Sequence, residues 1–142
     1  MDTTKVYIFT FLFAFLLTGS AFGKNSYFDE GKILFKQKIF SESKFKFEKD
    51  IVFNPKSELS YLYLAKIFNE EKKYDLEERN LNTVILLNPQ NEEAIFLLTL
   101  LRIRQSDYSK SEQLINDFKK ICKNLCERKP ELESKLKNLQ TK

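Results

Sequence analysis

The sequence has no histidine, and only three glycines and three prolines among its 142 residues. Without histidine, the commonest general base and the commonest metal ligand are both missing, which argues against an enzyme from the outset. So few backbone breakers leave long uninterrupted stretches. These suit helices and exclude the turn-rich pattern of an all-β sandwich. Blocks of one charge are missing too. The net charge of +4 comes from lysines and glutamates that alternate, whereas a nucleic-acid surface needs clustered Lys and Arg with stacking aromatics. Two cysteines without a histidine give too few ligands for zinc, so neither metal nor cofactor is expected.

What is present fits one domain. An apolar fraction of 42% at this length supports a single packed interior. The longest apolar run lies at the start. Lys5 is followed by Val6–Leu17, in which only Thr10 is clearly polar and four residues are Phe. A short positive start, this run and the small-residue exit at Ala21 and Gly23 describe a secretory signal peptide over 1–23, cut after Gly23. The competing reading is an uncleaved anchor over Val6–Phe22, which is short against the ~17–25 residues that cross a bilayer. No Cys stands at the exit, so a lipid-modified N-terminus is not expected. On either reading, the remainder lies outside the cytoplasm.

A spacing of 34 residues organises the rest. Asn54-Pro55 recurs as Asn88-Pro89, and at the same offset Tyr27, Tyr61 and Ile95 align. So do Gly31, Ala65 and Thr99; Phe40, Tyr74 and Tyr108; and Phe47, Leu81 and Ile115. Each unit reads as two antiparallel helices. Tyr61, Leu64, Ala65 and Phe68 fall at helical spacing, as do Leu81, Val84 and Ile85 before the stop at Asn88-Pro89. Ser57 and Asn91 are placed to cap the helices that follow them. Asp75 with Glu78 and Ser109 with Glu112 match a reciprocal capping box. Gly31, Ala65 and Thr99 sit mid-helix, which implies close approach of the paired helix carrying Phe47, Leu81 or Ile115.

These columns resemble the tetratricopeptide repeat over roughly Lys24–Lys123. The resemblance implies an all-α fold of three helix-turn-helix repeats in a right-handed superhelical array, with residues 24–128 as the repeat domain. The family prefers Ala early in the second helix, where this chain has Ser43, Glu77 and Ser111. Glu77 is hard to bury, so the second pair is expected to splay or to let the carboxylate reach solvent. Lys123 replaces the closing Pro of the third repeat.

Beyond it, Leu114, Ile115, Phe118, Ile121, Cys122 and Leu125 continue one apolar stripe. A capping helix is expected from Pro130 within 129–142, with Leu132, Leu136 and Leu139 as its apolar face and acidic residues ahead of basic ones. Cys122 and Cys126 form a disulfide only if the helix ends or distorts between them. Otherwise they are two buried thiols. A redox pair would have two intervening residues, and here there are three.

The resemblance implies a non-catalytic scaffold that presents a concave groove to a protein or peptide. In the family's register the groove-facing positions are Phe28, Lys32, Phe35, Lys36, Leu62, Lys66, Asn69, Phe96, Leu100, Ile103 and Arg104. They make an apolar floor with basic edges, suited to an amphipathic or partly acidic segment. The alternative for each aromatic is packing within its own repeat. Ile95–Leu101, apolar except for Thr99, must be covered on both sides. Some chaperone-binding relatives grip a C-terminal carboxylate with a fixed set of Lys, Asn and Arg. Phe28 stands where one of those Lys residues belongs, so that activity is not implied. The acidic residues lie on polar helix faces beside Lys, which makes them a solvated surface rather than paired catalytic carboxylates. The Lys-, Asn-, Ile- and Phe-rich composition points to an AT-rich bacterial genome. A periplasmic or envelope-associated scaffold is therefore expected, or alternatively a membrane-anchored assembly factor for envelope proteins.

Overall fold

The computed structural model describes residues 27–140. The signal segment 1–23, its cut after Gly23 and the side chain of Leu139 lie outside the described residues. Among these residues all regular structure is helical. The helices are α1 (Tyr27–Lys36), α2 (Phe40–Phe53), α3 (Glu58–Glu70), α4 (Tyr74–Leu87), α5 (Glu92–Arg104), α6 (Tyr108–Ile121) and α7 (Lys129–Gln140). A short 3-10 turn at Cys126–Arg128 leads into α7. Helices α1 and α2, α3 and α4, and α5 and α6 pair, each pair packs on the next, and α7 covers α5 and α6.

The three turns within the pairs are built alike. Lys38, Lys72 and Ser106, again 34 apart, adopt φ of 61°, 57° and 60°. The amide after each reaches back to the carbonyl five residues earlier, as Ile39 does to Leu34, Lys73 to Phe68 and Asp107 to Arg102. This is the left-handed helix stop that glycine usually provides, made here by L residues at some strain. The second helices start at Phe40, Tyr74 and Tyr108, but not through the capping boxes expected from sequence. Asp107 caps α6 by accepting the Lys110 amide, and Lys73 precedes α4 with no side-chain cap. Asn91 caps α5 as expected, through the Ala94 amide. The Ser57 hydroxyl instead donates to Ser60.

Within the first pair the helices touch at Gly31. A Cβ there would lie 2.8 Å from Phe47 Cε1, and the Phe47 ring is itself stacked on Tyr63 at 4.9 Å. Each junction between pairs has its own chemistry. At the first, Asp50 accepts from Ser60 Oγ at 2.5 Å. At the second, the same columns hold buried Val84 and Ala94. A buried acceptor matched to one donor favours this register over a slip of the helices, because an unmatched carboxylate there would be costly.

Glu77 corrects the sequence reading. The second pair does not splay: Glu77 is 3% exposed and lies in the column of buried Ser43 and Ser111. The serines satisfy themselves locally, by donating to the carbonyls of Gly31 and Asp107. The longer glutamate cannot, and its Oε2 makes no hydrogen bond.

Candidate functional site

The first helix of each pair contributes to one continuous face, joined across its seams by side chains. Phe28 and Phe35 of α1 set their rings edge-on to Tyr63 of α3, at 5.9 and 5.1 Å. Lys66 of α3 pairs with Glu93 of α5 at 2.8 Å, and Arg104 of α5 donates to Asn69 of α3 at 3.0 Å. The sequence placed all of these residues in the groove except Tyr63 and Glu93. Tyr63 escaped because its column holds Asp29 and Leu97, so the 34-residue spacing gave no consistent signal.

Three positions of the expected floor belong to the core instead. Leu62, Phe96 and Ile103 are buried. Phe96 is covered by Phe118 from α6 and by the Arg128 guanidinium, 3.8 Å above the ring centre. Helix α7 completes this core over α5 and α6 by burying Leu132 and Leu136 in it. Those residues fall 34 after Leu98 and Arg102, so α7 takes the place of a fourth first helix. It does not fill that place. Lys135 stands in the column where Ile67 and Leu101 are fully buried, and its charged end stays in water. A cleft of about 310 Å³ remains, lined by Leu100, Ile103, Arg104, Lys135 and Asn138.

The face therefore has two zones. The first is aromatic and cationic: half-buried Phe28, Phe35 and Tyr63, with Lys32 over the Phe28 ring at 4.7 Å and Lys66 over Tyr63 at 4.8 Å. Each cation also has an acidic neighbour on the surface, Asp29 at 2.9 Å for Lys32 and Glu93 for Lys66. Lys36 is exposed at the edge. The second zone is the cleft under α7, with Arg104 at its mouth. Arg104 lies over the Tyr74 ring and 3.7 Å from Glu77. Burial pushes the Glu77 carboxyl up to about 7, and the nearby Arg104 charge only partly opposes this.

The seat of α7 is held by two devices. Helix α6 stops at Ile121, and Cys122 turns extended, at ψ 137°. That break brings Cys122 and Cys126 into a disulfide, with Cα atoms 5.2 Å apart. Beside it, the Glu92 carboxylate at the start of α5 accepts the amides of Lys123, Asn124 and Leu125 at 2.7 to 3.1 Å. These backbone donors draw its carboxyl down to about 2. Nothing in the sequence pattern marks this role for Glu92, because its partners lie more than thirty residues away. Replacing both cysteines with serine should lower stability by about 2 kcal/mol, as expected for opening so short a loop. Amide exchange should accelerate in α7 before the rest of the chain. Uniform acceleration, or none, would show that the bridge does not hold the cap.

No protein-family model matches the sequence, and no curated protein matches it. Solved structures do. The first TPR domain of Spaghetti (RPAP3), bound to the HSP90 peptide SRMEEVD, superposes with a TM-score of 0.71 at 18% identity. The match covers 80% of this chain and 93% of that one. The Sgt2 TPR domain from Aspergillus fumigatus gives 0.68 at 13% identity, over 82% of this chain and 78% of that one. At such identities the likeness is one of fold, and the fold is that of tetratricopeptide repeats.

Proposed function

We propose that the chain is a non-catalytic scaffold that holds a peptide segment of a partner protein along the face of α1, α3 and α5. The observation that carries this reading is the row of lysines set over aromatic rings, Lys32 on Phe28 and Lys66 on Tyr63. It leads toward Arg104 beside an unfilled apolar cleft. Such a surface fits a segment with acidic residues alternating with aliphatic or aromatic ones. The RPAP3 domain shows this fold holding an acidic peptide, SRMEEVD. Phe28, standing where some relatives carry a Lys, favours a more apolar ligand here.

An array of acidic-aliphatic peptides, probed with the protein, tests this directly. Binding should weaken as salt rises. Lys66→Glu should reduce it by about tenfold or more with helicity retained. Peptides that bind Lys66→Glu as well as wild type would remove the face from consideration.

The location proposed is the bacterial envelope, reached through residues 1–23. A second reading keeps Val6–Phe22 as an anchor and makes the chain a membrane-bound assembly factor. It is supported by the apolar character of that run, which contains no Asp, Glu, Lys or Arg.

A further inference from the structure

Several apolar side chains that the core does not use gather at one edge of the array. Val52 is 74% exposed, Phe53 72% and Leu86 81%. Val52 and Phe53 end α2, and Leu86 is the penultimate residue of α4. Three contacts show that the ends of the second helices and the starts of the first helices share this edge. Tyr27, at the start of α1, stacks on Phe53 at 5.6 Å. Asn88, just after α4, donates to Glu58 at the start of α3. Glu92, at the start of α5, takes the amides that follow α6. Exposed Leu59, second in α3, lies along the same edge.

The fold does not require apolar residues here. Val52 and Leu86 are 34 apart, and the third member of their column is Lys120, which is well exposed. Two of three repeats thus present an aliphatic side chain to solvent where the third shows that a charge is accommodated. Grouped exposed apolar residues in a small domain mark a contact surface.

The chain itself indicates what this edge meets. The apolar stretch Val6–Phe22 rejoins the fold at Tyr27, on the edge and against Phe53. Five extended steps from Phe22 span at most about 18 Å. An apolar segment held in a bilayer would therefore keep the start of α1, and with it this edge, near the lipid surface. Its chemistry matches that position. Lys49 lies over the Tyr27 and Phe45 rings at 5.1 and 5.0 Å, and exposed Lys56 occupies the loop next to Phe53. Aromatic and aliphatic side chains at headgroup depth, with lysines reaching anionic lipid, are the signature of an interfacial contact. Among the described residues no helix is long and apolar enough to cross a membrane, so the contact is peripheral.

We infer that the edge bearing Val52, Phe53 and Leu86 is a membrane-docking surface. It lays the repeat array on an anionic lipid bilayer, beside the point where the N-terminal apolar segment enters. The inference rests on the anchored reading above, and its test separates the two.

The sequence has no tryptophan, so one introduced Trp reports a single site. Full-length chains carrying Phe53→Trp, Leu86→Trp or Ile39→Trp are reconstituted with phosphatidylcholine–phosphatidylglycerol vesicles, with and without lipids brominated near the headgroup. Ile39 is partly exposed and precedes α2, at the opposite end of the helix pair from Phe53. Trp at 53 and 86 should shift to shorter wavelength and lose most of its emission to the brominated lipid, while Trp at 39 should do neither. If the chain floats with the vesicles but positions 53 and 86 stay unquenched, the docking surface is overturned and the anchor survives. A chain that does not float overturns both. A blue shift that grows with protein concentration in the absence of lipid would assign the edge to a second copy of the chain and overturn the lipid contact.

Discussion

A Phe47→Ala chain should be about 3–5 kcal/mol less stable than the wild type, the usual cost of emptying a fully buried phenylalanine site. For a domain of this size that corresponds to a melting temperature lower by on the order of 10–20 °C. Phe47 is buried and stacks on Tyr63 of the next pair, with Phe28 also against it, so removing it opens the first pair and its junction together. Gly31 supplies the complementary test. Alanine there would gain up to about 1 kcal/mol of helix propensity. Its Cβ, however, would fall 2.8 Å from a ring that is wedged in place. Overpacking should win, with a net loss of about 1–3 kcal/mol. In a Phe47→Leu background the ring atoms are gone, so Gly31→Ala should cost less or stabilise. Thermal or urea melts of the four chains give the coupling between the two sites. Additive effects, or a Gly31→Ala chain as stable as wild type, would show that the two residues do not set the helix spacing.

Glu77→Gln should remove most of the pH dependence of stability between pH 5 and 8. In the fold, burial raises the Glu77 carboxyl to about 7, from an ordinary value of 4.5. Below 4.5 the acid is protonated in both folded and unfolded chains and contributes nothing. Between 4.5 and 7 the unfolded chain releases its proton first, so stability falls as pH rises. The loss is about 2–3 kcal/mol by pH 8. Glu92 works the other way. Its contribution is present above 4.5 and is lost as pH falls toward 2, outside the chosen window. Urea melts at pH 5 and 8 should therefore show the wild type weakening while Glu77→Gln stays level and exceeds it at pH 8. A wild type that is flat across this window, or a variant that keeps the slope, would mean that Glu77 reaches solvent after all.

The helical architecture was legible in the sequence because it is set by local chemistry repeated at a fixed interval. The spacing of 34, the small residues at Gly31, Ala65 and Thr99 and the aromatics at Phe40, Tyr74 and Tyr108 each act within a few residues of themselves, or on the adjacent helix. They placed the helix pairs and their turns. Asn91 was read correctly as a cap for the same reason, since its partner is three residues away. The capping boxes failed because the backbone turn at left-handed Lys72 and Ser106 leads straight into helix at Tyr74 and Tyr108, ahead of the starts that Asp75 and Ser109 would set.

The site was less legible. Whether Phe96 and Ile103 form an open floor or a core depends on where α7 comes to rest. That position depends on a break at Cys122, the disulfide to Cys126 and the grip of Glu92 on amides more than thirty residues ahead. The burial of Glu77 likewise reflects the packing of two helix pairs around it, which outweighs the preference of one carboxylate for water. The exposure of Val52, Phe53 and Leu86 is the converse case, since an apolar residue on a helix reads as core until the neighbouring elements leave it uncovered. By itself the sequence determined the helices, their pairing and the repeat, all consequences of contacts close along the chain. Only the tertiary structure decided which apolar residues are buried and which face outward, because burial is a property of what else arrives at a surface.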